Sequence, residues 1–262
     1  MPADPTALER SVLLALGLAA RPVTPLDVRR TVHAVQGDDE PHDVVGLPGA
    51  ADLAHLVVAW GAGAGPVEVA ALLPAPGDVS GLPPEVAAAA IEAGECLLVH
   101  LGTSWAVVPD VVAFGSALET GYQVTWTAHA VEDWRTRLAG VVGTLGEAEQ
   151  ALRASLRTAT QALVDLDVAR WRPDAAAAIA ALRASADLGL PSSLDPRVVR
   201  VVGDAARLRT IVELATTDDG AAVSLWQADQ RTAALRDVER SARRAIAAAT
   251  LAAGRAQAST DR

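Results

Sequence analysis

The chain of 262 residues contains no lysine and only one cysteine, one methionine, one tyrosine and one phenylalanine. Each scarcity removes a class of chemistry. Without lysine there is no Schiff-base amine, no pyridoxal-phosphate anchor and no P-loop lysine for phosphate. With Cys96 alone there is no intrachain disulfide and no CxxC metal or redox pair. No run reaches the roughly 18 to 20 apolar residues of a membrane-spanning helix. The apolar stretch at residues 11–20 follows Asp4, Glu9 and one arginine, Arg10, whereas the start of a secretory signal is positive. It reads as a buried first helix, with Asp4 as N-cap and Pro5 at the first helical position. The expected location is the cytoplasm.

What is present is unevenly placed. Up to residue 140, 17 acidic residues stand against 6 arginines, and all five histidines and Cys96 lie there. Beyond it, 16 arginines meet 15 acids, with no His, Cys, Tyr or Phe. The overall charge of −10 argues against nucleic acid or an anionic membrane as partner, because both call for a basic surface. Apolar residues make up 51% of the chain, enough for a packed core.

In the first part, Thr24, Pro25 and Asp27 mark a helix start. Leu53, Leu56, Val57 and Trp60 form one helical face, and residues 84–93 read as a helix closed by Gly94. Strands are expected at residues 44–47, 67–73, 96–101, 105–108 and 122–128, the third and fourth joined as a hairpin through Gly102. In the second part, Thr144 and Glu147 spell a capping box, followed by a stripe from Leu145 to Leu166. Further helices start at Pro173 and at Pro196, and a fourth carries Leu235, Val238, Ala242, Ala245 and Ala249 on one face. Short links between amphipathic helices suggest antiparallel neighbours. The sequence therefore predicts a mixed α+β protein: an acidic α/β domain with a mixed sheet at residues 1–140, an antiparallel four-helix bundle at 141–256, and a frayed tail at 257–262.

Three groups carry candidate chemistry. Asp39, His42 and Asp43, in the acidic turn at residues 37–43, have ligand types suited to a hard divalent cation; the plainer reading is a solvated turn. Gly77 and Asp78 end a loop between a strand and a helix, where α/β proteins often bind ligands; the plainer reading is a proline-stiffened turn. Arg236, Arg240, Arg243 and Arg244 form a row on the last helix. It reads as a solvated face, as a protein-contact face, or as a surface meeting the acidic first part. Ser104 and Ser116 sit in no GxSxG elbow, and Cys96 lies inside an apolar strand. The first two helices resemble the start of a winged helix, but an acidic turn stands where a basic recognition helix should follow.

The run Leu73-Pro-Ala-Pro-Gly-Asp-Val-Ser-Gly-Leu-Pro83, with Ala90-Ile-Glu-Ala-Gly-Glu95, Val107-Val-Pro-Asp110, Asp167-Val-Ala-Arg-Trp171 and Trp226-Gln-Ala-Asp-Gln230, resembles a conserved-hypothetical family of high-GC actinobacteria. The resemblance implies lineage and a cytoplasmic setting; that family has no assigned activity, so it implies no site residues.

No nucleophile with a base, no metal-ligand set and no cofactor fingerprint is found, so the reading leans away from catalysis and expects no cofactor. Function by protein contact, as an accessory or scaffolding protein with a partner or a second copy, is the first expectation. The alternative is a small-molecule or nucleotide binder, with weak hydrolase or transferase activity as its extreme, using the loop at residues 74–78.

Overall fold

The computed structural model describes residues 8–21, 24–61, 67–116, 119–165, 190–216 and 225–260. In chain order the elements are α1 (Arg10–Ala19), α2 (Pro25–Gln36), β1 (Asp43–Val45), α3 (Leu53–Gly61), β2 (Glu68–Leu72) and a short 3-10 turn (Pro84–Val86). Then come α4 (Ala87–Ala93), β3 (Cys96–Leu101), β4 (Thr103–Ser116), β5 (Glu119–Val131), α5 (Arg135–Val142), α6 (Leu145–Asp165), α7 (Pro196–Thr216) and α8 (Leu225–Thr260). Among the described residues no helix is long and apolar enough to cross a membrane.

The strands form one mixed sheet in the order β1-β5-β4-β3-β2. β2 to β5 are antiparallel neighbours, and β1 joins β5 in parallel through Val44 opposite Trp126. The apolar run of β3 is buried through Val99, as expected for a strand covered on both faces. α1 packs on β2 and β3, and α4 packs on β4. The apolar segment read as the first helix is thus core: Val12, Leu14, Leu16 and Leu18 are fully buried. Its expected cap, Asp4, and Pro5 lie outside the described residues. The start of α1 is satisfied from elsewhere, because the Ser11 N–H donates to the Glu95 carboxylate at 2.6 Å. The first free amides of a helix attract such an acceptor.

Two sequence-predicted caps form. Thr24 accepts from the Asp27 N–H at 3.2 Å and starts α2. Thr144 accepts from the Glu147 N–H at 3.2 Å, while the Glu147 carboxylate takes the Thr144 N–H at 2.8 Å.

Two expectations need correction. The hairpin strand expected to end at Val108 continues through Pro109 to Ser116. Proline is tolerated there because β3 accompanies β4 no further than Val107, so Pro109 lies past the end of β3, where no partner strand on that side needs its missing N–H. The larger correction is that the second part forms no clear four-helix bundle. The helix expected from Pro173 lies outside the described residues. α6 and α7 lie along α8 but make little contact with each other. α8 runs for 36 residues, and its alanine-rich end packs on β2 and α1 rather than closing a bundle.

The reason is the edge of β2. An edge strand leaves backbone groups without partners, and covering it with a helix is one remedy. The Thr250 hydroxyl accepts from the Ala71 N–H at 2.9 Å and donates to the Ile246 carbonyl at 3.0 Å. Gly254 brings the helix so close that an added Cβ would lie 2.7 Å from the Val69 nitrogen. The alanine stripe is what permits this approach.

Thr250→Val keeps the side-chain shape and removes the acceptor, leaving the buried Ala71 N–H without a partner. It should cost about 1–3 kcal/mol in urea unfolding, with Thr250→Ser costing less.

Candidate functional site

The acidic turn is a structural joint. Asp39 receives Arg10 of α1 through Nε at 3.0 Å and Nη2 at 2.6 Å. His42, 1% exposed, lies between Asp39 and Trp126 of β5. The Trp126 indole N–H donates to Nδ1 at 3.1 Å, so Nδ1 is the acceptor. Nε2 then carries the proton and faces Asp39 at 3.3 Å. The Glu40 N–H adds a bond to the Tyr122 carbonyl at 3.1 Å. The structure thus brings Asp39 and His42 together, with Arg10 on the carboxylate, and leaves Asp43 exposed on β1. Among the described residues no group of three or more His, Cys, Asp or Glu side chains is placed to hold a metal ion.

Burial pushes the His42 imidazole below its ordinary value; the hydrogen bond and charge of Asp39 oppose this, and the charge of Arg10 adds to it. The unfolded chain therefore takes up a proton below about pH 6.5 while the folded chain still resists it. Stability should fall as pH drops from about 6.5 toward the folded value. Glu95 titrates with the opposite sign, since its burial holds the carboxyl above the usual range. The measurement is accordingly the difference between wild type and His42→Asn in urea unfolding across pH 4.5–7.5: the wild type should lose more stability on acidification.

Gly77 and Asp78 form a tight turn. Asp78 and Ala75 exchange backbone bonds at 2.8 and 3.2 Å, and Gly77 takes the left-handed φ of +81°. Pro76 before Gly77 suits a type II turn. The turn presents Asp78 to α8, where the Arg243 Nη2 donates to its Oδ2 at 2.8 Å. Burial works to raise the Asp78 carboxyl, but the hydrogen bond and charge of Arg243, with Ser80 and Arg240 adding, hold it below the usual range. The ligand-loop candidate and the arginine row, 165 residues apart in sequence, therefore meet.

They meet at a cleft of about 270 Å³ between the loop after β2, the end of α5 and α8. Asp78, Ser80, Arg240, Arg243 and Arg244 line it, against apolar walls that include Leu82. Arg244 also donates to the Val141 carbonyl at the end of α5. Arg236 is exposed and is not in the lining.

A second feature was not legible as a site. β4 and β5 pair from Ser104 opposite Val131 to Ser116 opposite Glu119, whereas β3 reaches only to Val107 and β1 meets only Thr125–Thr127. Residues 111–116 and 119–124 thus form a two-stranded arm beyond the rest of the sheet. Phe114, 47% exposed, lies across Gly121, where an added Cβ would sit 2.5 Å from the ring. Val112 shares that face, while Val111 and Tyr122 occupy the other; all are exposed. The sequence signal was weak, because Pro109, Gly115 and Gly121 read as breaks.

Sequence reasoning also missed a cross-strand contact. Register places His100 opposite Ser104, with Nδ1 and Oγ 2.8 Å apart. Neither residue lines the cleft.

Residues 11–139 match the family model described as Rv1486c-like protein, N-terminal domain, and residues 146–247 match Rv1486c-like protein, C-terminal domain. Both halves of the chain thus match one family, the Rv1486c-like proteins. The match fits an actinobacterial family with no assigned activity. No curated protein and no solved structure matches the chain. The Rv1486c-like match ends before the stretch of α8 that seals the β2 edge, since Thr250 and Gly254 lie beyond residue 247.

Cys96 is fully buried, and burial pushes its thiol up to about 12. The folded protein should give negligible reaction with a thiol-exchange reagent at pH 8, and one equivalent once unfolded in urea.

Proposed function

We propose that this Rv1486c-like chain works by protein contact, as an accessory or scaffolding protein, and that the arm at residues 111–116 and 119–124 is the contacting element. The observation that carries this reading is exposed apolar side chains on both faces of the ribbon: Val112 and Phe114 on one, Val111 and Tyr122 on the other. A strand that only completes a fold keeps one apolar face and buries it. A two-stranded ribbon alone is marginal in water, so a partner that covers it adds stability as well as affinity. Glu119 in the arm and Asp110 at its base are the charged residues there among those described. The surface that fits it is accordingly apolar at its centre with a cationic rim, charge serving orientation more than strength. The proposed setting is the cytoplasm, a reading supported by the burial of α1 in the core.

The test compares wild type with Val112→Ser/Phe114→Ser/Tyr122→Ser, both shown folded by circular dichroism. Sedimentation of the full chain reports self-association, and affinity purification from the native host reports a heterologous partner. A stoichiometric second copy or partner should accompany the wild type and be lost in the arm variant. A wild type that stays monomeric and recovers nothing, or an arm variant that recovers the same partner, sinks the reading.

A further inference from the structure

We infer that the cleft between the Asp78 turn and α8 binds a small organic phosphate monoester: a dianionic head held by Arg240, Arg243 and Arg244, with an apolar body against the wall beside it. The inference is independent of the arm.

Three observations converge on it. The first is charge. Three guanidinium groups line the cleft against one carboxylate, Asp78, in a chain whose overall charge is −10. Asp237 and Glu239 pair with Arg240 and Arg243 at 2.9 and 3.5 Å but are not in the lining. Counted with Asp237 and Glu239, three guanidinium groups meet three carboxylates, but Asp78 is the one carboxylate in the lining, so an anion entering the space meets mainly guanidinium groups. The spacing of the arginines, i, i+3 and i+4, puts all three on one helical face.

The second is preorganisation. Arg243 is 13% exposed, and Asp78 on Nη2 with Glu239 near Nη1 fixes the plane of its guanidinium. Its Nε is buried and has no hydrogen-bond partner among the described residues. A buried donor without an acceptor is costly. Guanidinium groups suit this task because their planar fork matches phosphate oxygens.

The third is shape. The space of about 270 Å³ takes a phosphate with a small body, and its walls include Leu73, Leu82, Val141 and Ala247. Gly140 also lines it, and an added Cβ there would meet nothing within 4 Å, so the α5 side is open. A few convergent polar groups on an apolar wall is the usual make-up of a small-molecule site. Inorganic phosphate alone would leave that wall unused.

The experiment titrates the full chain with phenyl phosphate, inorganic phosphate and benzoate by calorimetry at low salt. Phenyl phosphate should bind saturably, about tenfold tighter than inorganic phosphate, with benzoate weaker still, and added salt should weaken it. Arg240→Ala/Arg244→Ala should lower the affinity at least tenfold while leaving the melting temperature within a few degrees. Asp78→Asn keeps an oxygen for Arg243 and removes the competing charge, so affinity should rise several-fold. That rise is a readout that a purely structural ion pair would not produce. Absence of saturable phosphate binding, benzoate matching phenyl phosphate, an unchanged double variant, or weakened binding in Asp78→Asn would each overturn the inference.

Discussion

The open edge of β2 is the constraint around which the rest of this structure is arranged. Its Ala71 N–H points away from β3, and in a dry interior such a group needs an acceptor. A helix can supply one if a hydroxyl projects at the right place and the backbones come close. α8 does both, through Thr250 and through the alanines and Gly254 around it. That contact fixes where the second half of the chain lies, because α6 and α7 both lie along α8. Ionic links follow the same geometry: Glu68 of β2 receives Arg135 of α5 and Arg255 of α8.

The position of α8 in turn creates the cleft. Its arginine face has to pass the turn after β2, and Arg243 is caught by Asp78 there. A loop and a helix that each carried a bland reading become one electrostatic feature when brought together. The apolar wall and the guanidinium groups come from different parts of the chain, so neither identifies a ligand site on its own.

At the opposite edge of the sheet the same need is met by polar stitching. β1 is three residues long, and the acidic turn before it is tied to α1 by Arg10 and to β5 by the His42–Trp126 bond. A neutral histidine accepting from an indole and donating to a carboxylate satisfies three buried groups at once. It also leaves β5 free to run past β1, and with β4 past β3, into the arm. The arm is thus what remains when both neighbouring strands stop short.

Local chemistry by itself determined where α2, α6 and α7 begin, because the caps Thr24–Asp27 and Thr144–Glu147 close within one turn and Pro196 suits a first helical position, none of which needs a distant partner. It also placed the strands of the sheet, through apolar runs bounded by glycine and proline, and the burial of Cys96. The remaining features depended on distance in sequence. An alanine stripe looks the same whether it packs on helices or on a sheet edge, so the bundle expected from periodicity gave way to the contact of Thr250 with Ala71. Pro109 reads as a stop unless one knows that β3 no longer accompanies β4 there. An acidic turn gives no sign that Arg10 and Trp126 will enclose it. The meeting of Asp78 with Arg243 across 165 residues is a property of the packed chain, since only tertiary structure decides which exposed charge acquires a partner and which apolar strand is left uncovered.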